Sequence, residues 1–113
     1  MQDLNSVLLE GNITKDAEMK TLPSGNIVGT ANIAVGRFYE TKDGTIHKSV
    51  SFFIVESWNE NAVPLMDLGK GSRIKVIGEM KQDRWENDEG EARSMVKVKA
   101  ERIELVTVKA IAA

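Results

Sequence analysis

The sequence predicts an all-β domain, a five-stranded Greek-key barrel with one short helix between the third and fourth strands. Three observations carry this. Apolar and polar residues alternate with a period of two along Ala31, Ile33 and Val35. Turn signals at Pro23-Ser24-Gly25, Asp43-Gly44 and residues 87–90 (Asn-Asp-Glu-Gly) cut the chain into short segments. A single stretch carries helix punctuation, and it falls after the third strand.

The first strand opens at Val7-Leu8-Leu9, continues through Gly11 and Ile13, and breaks at Thr14-Lys15-Asp16. After the Pro23-Ser24-Gly25 turn, in which proline presets φ and glycine accepts a positive φ, Ile27-Val28 begins the second strand. The Asp43-Gly44 pair marks a hairpin into the third. That strand is clearest over residues 50–55 (VSFFIV), rich in β-branched and aromatic side chains. Residues 59–68 are the helical candidate: Asn61 can cap it, Pro64 falls in the first turn and Gly69 supplies the stop. Ile74, Val76 and Gly78 start the fourth strand, which runs into Lys81. Met95, Val96, Val98, Ile103 and Leu105 form the fifth, with an interruption expected near Ala100-Glu101. Five strands with a helix between the third and fourth make the OB-fold arrangement. The barrel is expected over residues 1–106, with 107–113 as a short tail.

A chain of 113 residues fits one domain. The absence of cysteine excludes disulfides and thiolate metal sites. The first residues lack the pattern of a secretory signal, and no apolar run has the roughly 18–20 residues of a membrane span, so a cytoplasmic protein without membrane contact is expected. The formal net charge is -2, from 15 Lys+Arg against 17 Asp+Glu. Attraction by overall charge therefore cannot carry a nucleic-acid function; local charge and aromatic stacking would have to.

The aromatic residues are Phe38, Tyr39, Phe52, Phe53, Trp58 and Trp85. Several stand among polar neighbours: Trp58 between Ser57 and Asn59, Trp85 between Arg84 and Glu86, and Tyr39 before Glu40. Phe52 and Phe53 must point to opposite faces of one strand, so at most one of them lines the core. Exposed rings along one surface would stack unpaired bases, at roughly 1–3 kcal/mol per base and with little regard to sequence. Lys70, Arg73, Lys75, Lys81 and Arg84 gather in one stretch, and Lys20 and Arg37 sit at loop ends. Glu86, Asp88, Glu89 and Glu91 make the second hairpin tip acidic.

Read together, several segments resemble the bacterial single-stranded DNA-binding protein family. They are Leu4-Asn5-Ser6-Val7-Leu8-Leu9-Glu10-Gly11-Asn12, Pro23-Ser24-Gly25, Ile33-Ala34-Val35, Val50-Ser51-Phe52-Phe53, Lys70-Gly71-Ser72, and Gly78-Glu79 running to Arg84-Trp85. No single segment is specific, but their order and spacing together are. The resemblance implies non-specific binding of single-stranded DNA in replication, recombination and repair, by a homotetramer of OB domains without cofactor. It places base stacking on Tyr39, Phe52, Trp58 and Trp85, and DNA contact on Lys20, Lys70, Lys81 and Arg84; Arg37 and Arg73 join the phosphate-binding set from their position. It also implies pairing of the first strand across a dimer interface. Phe53 stands where the family often has histidine at a subunit contact. The sequence ends without the acidic tip through which the family recruits other replication proteins, so recruitment by that route is not expected.

Two other function classes fit the sequence less well. Catalysis finds no support: His47 is the only histidine and has no triad pattern around it, and Gly69-Lys70-Gly71-Ser72 is too short for a phosphate-cradling loop and follows the helix. An OB-fold protein-interaction module of replication restart would tend to lose its stacking rings, which this chain keeps. RNA remains an alternative ligand, because a ring stacks on any base.

Overall fold

The computed structural model describes residues 2–112. Six strands form in order: β1 (Val7–Ile13), β2 (Glu18–Thr21), β3 (Ile27–Glu40), β4 (Ile46–Trp58), β5 (Arg73–Glu86) and β6 (Ala92–Thr107), with a 3₁₀ helix (Asn59–Leu65) between β4 and β5. The sheet runs β1-β5-β6-β4-β3-β2, and β1 also pairs with β3, which closes a five-stranded barrel. The β4–β6 closure is parallel and short, Val55 opposite Val98 and Glu56 opposite Lys99; the other pairings are antiparallel. This is the expected OB-fold. The additional strand, β2, lies just past the Thr14-Lys15-Asp16 break and flanks β3 outside the barrel.

The alternation that announced the strands also builds the core. Ile13, Ala31, Ile33, Val55, Ile74, Val76, Val98, Ala100 and Ile103 all turn inward and are buried. Two closures bring backbone so near that only glycine fits. A Cβ at Gly11 would overlap the carbonyl of Ala34, where β1 crosses β3, and one at Gly78 would overlap the carbonyl of Lys99. Gly78 marks the interruption expected in the last strand: Ile77 pairs with Arg102 and Gly78 with Ala100, leaving Glu101 as a bulged residue.

The helix differs from expectation. It is a seven-residue 3₁₀ helix that starts at Asn59, without a capping side chain, and Pro64 lies near its end rather than in its first turn. Side chains three apart eclipse in a 3₁₀ helix, and that period suits Ala62 and Leu65. Both are fully buried, and Leu68, three residues further on, is 2% exposed. Together they plug the open end of the barrel. The Asn59 side chain ties the helix start to β3 by accepting a hydrogen bond from the Ile27 amide at 2.9 Å.

Just beyond β6 the chain packs against the barrel as far as Ala110. Leu68 bridges to Ala110, and the Gly69 amide donates to the Lys109 carbonyl at 2.7 Å. The buried Ser72 hydroxyl accepts from the Lys109 amide at 2.9 Å and donates to its carbonyl at 3.2 Å. At the other end, the β3–β4 and β5–β6 ladders continue past the core to Glu40 opposite Ile46 and Glu86 opposite Ala92. The two arms give the molecule its long dimension of 55 Å.

Candidate nucleic-acid interface

Strand alternation decides which side chains share the outer surface. On β4, Val55 and Ser57 are fully buried, so Phe52, Ile54, Glu56 and Trp58 face outward. Register carries that face across β3, where Val28 lies opposite Trp58, Ala34 opposite Phe52 and Phe38 opposite Lys48. On β6, Val98 and Ala100 are buried, which turns Lys97 and Lys99 out. Their β5 neighbours follow: Lys81 opposite Lys97, Asp83 opposite Met95 and Trp85 opposite Arg93. Phe52 is 70% exposed and Trp85 47%, while Trp58 is half-buried. Phe53, one residue from Phe52, packs against the core instead.

Around Trp58 the charges are organised. The indole N–H donates to Glu56 Oε1 at 2.8 Å. Lys81 Nζ sits 5.6 Å from the ring centroid and 3.0 Å from the same carboxylate oxygen. Lys97 reaches Glu56 Oε2 at 3.3 Å, and Asp83 joins both lysines, at 3.3 Å from Lys81 and 3.0 Å from Lys97. Burial pushes the Glu56 carboxyl up. The hydrogen bonds from Lys81, Trp58 and Lys97, with the charge on Lys81, outweigh that and hold it below the usual range. Both lysines are raised, Lys81 mainly by its hydrogen bond to Glu56 and Lys97 mainly by its hydrogen bond to Asp83. A shallow pocket beside the ring is lined by Trp58, Asn59, Glu60, Asn61 and Lys99.

The expected site residues are only partly brought together. Phe52, Trp58 and Trp85 share the outer surface with Lys81, and Lys20 joins them through Val28, which lies between Lys20 and Trp58. Arg73 also faces outward, held by Glu10 at 2.6 Å and Asn12 at 2.7 Å, in a groove with Ala34, Phe38, Lys48 and Val50. Tyr39 leaves the β3–β4 ribbon on its other side, stacked on His47 with ring centroids 5.3 Å apart, and Arg37 follows it there. Arg84 points away from Trp85 and bonds Gln82 at 2.9 Å. Lys70 lies in the loop before β5, where its amide donates to Asp16 at 2.8 Å.

Phe38, Lys48, Lys97, Lys99 and Arg93 also lie on this surface, although only Phe38 stood among the aromatic candidates and none of the five was in the expected site. Phe38 is 71% exposed on the Phe52 side, with Lys48 Nζ 5.9 Å from its ring centroid. A signal for the lysines was present: Lys97 and Lys99 flank the core residue Val98 with a strand's period of two.

The chain matches the single-strand binding protein family over residues 4–106. It is 34% identical over 107 residues to the single-stranded DNA-binding protein of Treponema pallidum, a match covering 94% of this chain and 60% of that protein. Against the protein of the same name from Deinococcus radiodurans, identity is 30% over 101 residues, covering 89% of this chain and 34% of the relative. The crystal structure of wild-type single-stranded DNA binding protein from Thermus aquaticus superposes with a TM-score of 0.79 at 31% identity, over 91% of this chain and 50% of that one. The chain thus spans less than two thirds of the length of these relatives. With the family's model matching residues 4–106 and the barrel of a 31% identical relative superposing on this one, the protein belongs to the single-strand binding protein family.

Proposed function

We propose that this domain binds single-stranded DNA without sequence preference and without catalysis, protecting it during replication, recombination and repair. The observation that carries the reading is the joint placement of Phe52, Trp58 and Trp85 on one outer surface, with Lys20, Lys81, Lys97 and Lys99 among them. Bases stack on the rings, and the ammonium groups neutralise phosphates and release counterions. Arg73 and the Phe38 groove continue that surface. Tyr39, Arg37, Arg84 and Lys70 act from the arms and the loop before β5, on strand that folds around them. A net charge of -2 is compatible with this reading because stacking needs no net attraction.

The relatives support DNA over RNA as the ligand, since the curated relatives and the Thermus structure carry single-stranded DNA binding in their names. A homotetramer, with β1 at a dimer contact, fits the large apolar side chain that β1 leaves in water: Leu8 is 74% exposed. Among the described residues no helix is long and apolar enough to cross a membrane. A cytoplasmic location accords with the role.

Titration with oligo-dT at low salt tests the reading through the emission of Trp58 and Trp85. Strong quenching, weakened by added salt, is expected. Unquenched emission would favour the protein-interaction module. A matched oligo-U that competes better than oligo-dT would make RNA the ligand.

A further inference from the structure

Resting on that reading, we propose that Lys81 and Lys97 form a phosphodiester subsite beside Trp58, which the Asp83 carboxylate occupies until a backbone phosphate displaces it. Two ammonium groups stand between two carboxylates. Lys81 Nζ lies 3.0 Å from Glu56 Oε1 and 3.3 Å from Asp83 Oδ1, and Lys97 Nζ lies 3.3 Å from Glu56 Oε2 and 3.0 Å from Asp83 Oδ2. Each carboxylate therefore bridges both lysines, one oxygen to each. A phosphodiester presents the same charge through two non-bridging oxygens, so it can take over either bridge.

The two carboxylates are not equivalent. Glu56 is 6% exposed and is further fixed by the Trp58 indole N–H. It forms the floor and holds both ammonium groups in place. The Asp83 side chain is 29% exposed and belongs to the part of β5 that has left the core, so it closes the solvent side. The location suits a strand of DNA. Lys81 already overhangs the Trp58 ring, and Trp85 lies two residues beyond Asp83 on the same side of β5. A nucleotide chain passing from one tryptophan to the other runs over the Asp83 position.

In the free protein the cluster is neutral, two cations against two anions. Phosphate binding is then an exchange of one anion for another, with little net electrostatic gain. Base stacking on Trp58 and Trp85 must supply the balance, and paired bases cannot stack there. The device thus biases the lysines against duplex DNA while keeping them oriented for an unpaired strand.

The test compares the full chain with Asp83→Asn, Lys97→Met and the double variant, titrating oligo-dT and a blunt duplex across a salt series. Asp83→Asn should bind oligo-dT about three- to tenfold more tightly at low salt, the weight of one or two exposed ion pairs. Its log–log salt dependence should steepen by roughly 0.7, one more phosphate neutralised on a single strand. Duplex affinity should rise by at least as large a factor, and Lys97→Met should cancel the gain in the double variant. Wild-type protein that binds while Asp83→Asn shows unchanged affinity and slope overturns the exchange and leaves the stacking reading standing. Unaltered binding by Lys97→Met alone overturns it as well, independently of the Asp83 variant's folding. Wild-type protein that ignores oligo-dT at every salt concentration overturns both.

Discussion

Phe52 and Phe53 are neighbours in sequence, and replacing each by alanine should have opposite consequences. Phe52 is 70% exposed. Full burial of an aromatic side chain removes 150–250 Å² from water, so roughly 60 Å² is at stake here. At about 25 cal/mol per Å² the stability lost in Phe52→Ala is at most about 1.5 kcal/mol, an upper limit because the unfolded chain also hides some surface. Its loss as a stacking surface should cost about 1–3 kcal/mol in DNA affinity, or roughly 5- to 150-fold in Kd. Phe53 packs against the core beside Ile33. Phe53→Ala should cost about 3 kcal/mol in stability, the lower end for a core phenylalanine because it is only partly buried. Urea unfolding measures the first quantity. Quenching by oligo-dT measures the second, and both variants keep Trp58 and Trp85 as reporters. Equal stability losses, or a Phe52→Ala protein that binds like wild type, would refute the assignment of faces from strand alternation.

The two tryptophans should also separate. Trp85→Ala, on an arm beyond the core, should weaken oligo-dT binding by about 1–3 kcal/mol while the barrel unfolds at nearly the wild-type urea concentration; Trp58→Ala should lose affinity and some stability together, because its ring is half-buried and bonded to Glu56. Gly78→Ala should destabilise by well over 1 kcal/mol, since its Cβ collides with the Lys99 carbonyl at the bulge and backbone must move; a normal melting temperature would show that the bulge adapts freely. Glu56→Gln should be less stable than wild type at neutral pH. Glu56 is held below its usual range, so its contribution is present above the ordinary carboxyl pKa and disappears as pH falls through the depressed folded value; the gap between the two proteins should narrow as pH falls below the ordinary carboxyl range. The raised Lys81 and Lys97 give the mirror case: their contribution is complete below the ordinary lysine pKa and vanishes as pH climbs past the folded values. Urea midpoints across pH measure this, and a gap that stays constant would contradict the network.

Local chemistry made much of this protein readable. Alternation put Ile33 in a strand and β-branched, aromatic content put Val55 in another, and both turn inward because successive side chains on an extended chain must oppose one another. Glycines and turn residues located both hairpins, and the irregular pattern after Val98 announced the bulge at Glu101. The same rule reached Phe52 and Phe53, which differ in burial as two adjacent strand residues must. It lost the arms. Past Gly36 and Met80 no core remains to impose alternation, so β3 and β5 run several residues further than apolar patterning alone indicated.

What the sequence by itself determined is the barrel: its strands, its turns, the residues that fill it and the family they spell. Only the tertiary structure decided the surface. The register of β3 against β4 put Phe38, rather than Tyr39, on the side of Phe52. Closure of β4 onto β6 and β6 onto β5 brought Glu56 to Lys81 and Lys97, which are 25 and 41 residues away along the chain. Periodicity is a property of neighbouring peptide units and survives in the linear order. Proximity between distant side chains arises only when the sheet closes and each strand takes its register, and no local pattern encodes that distance.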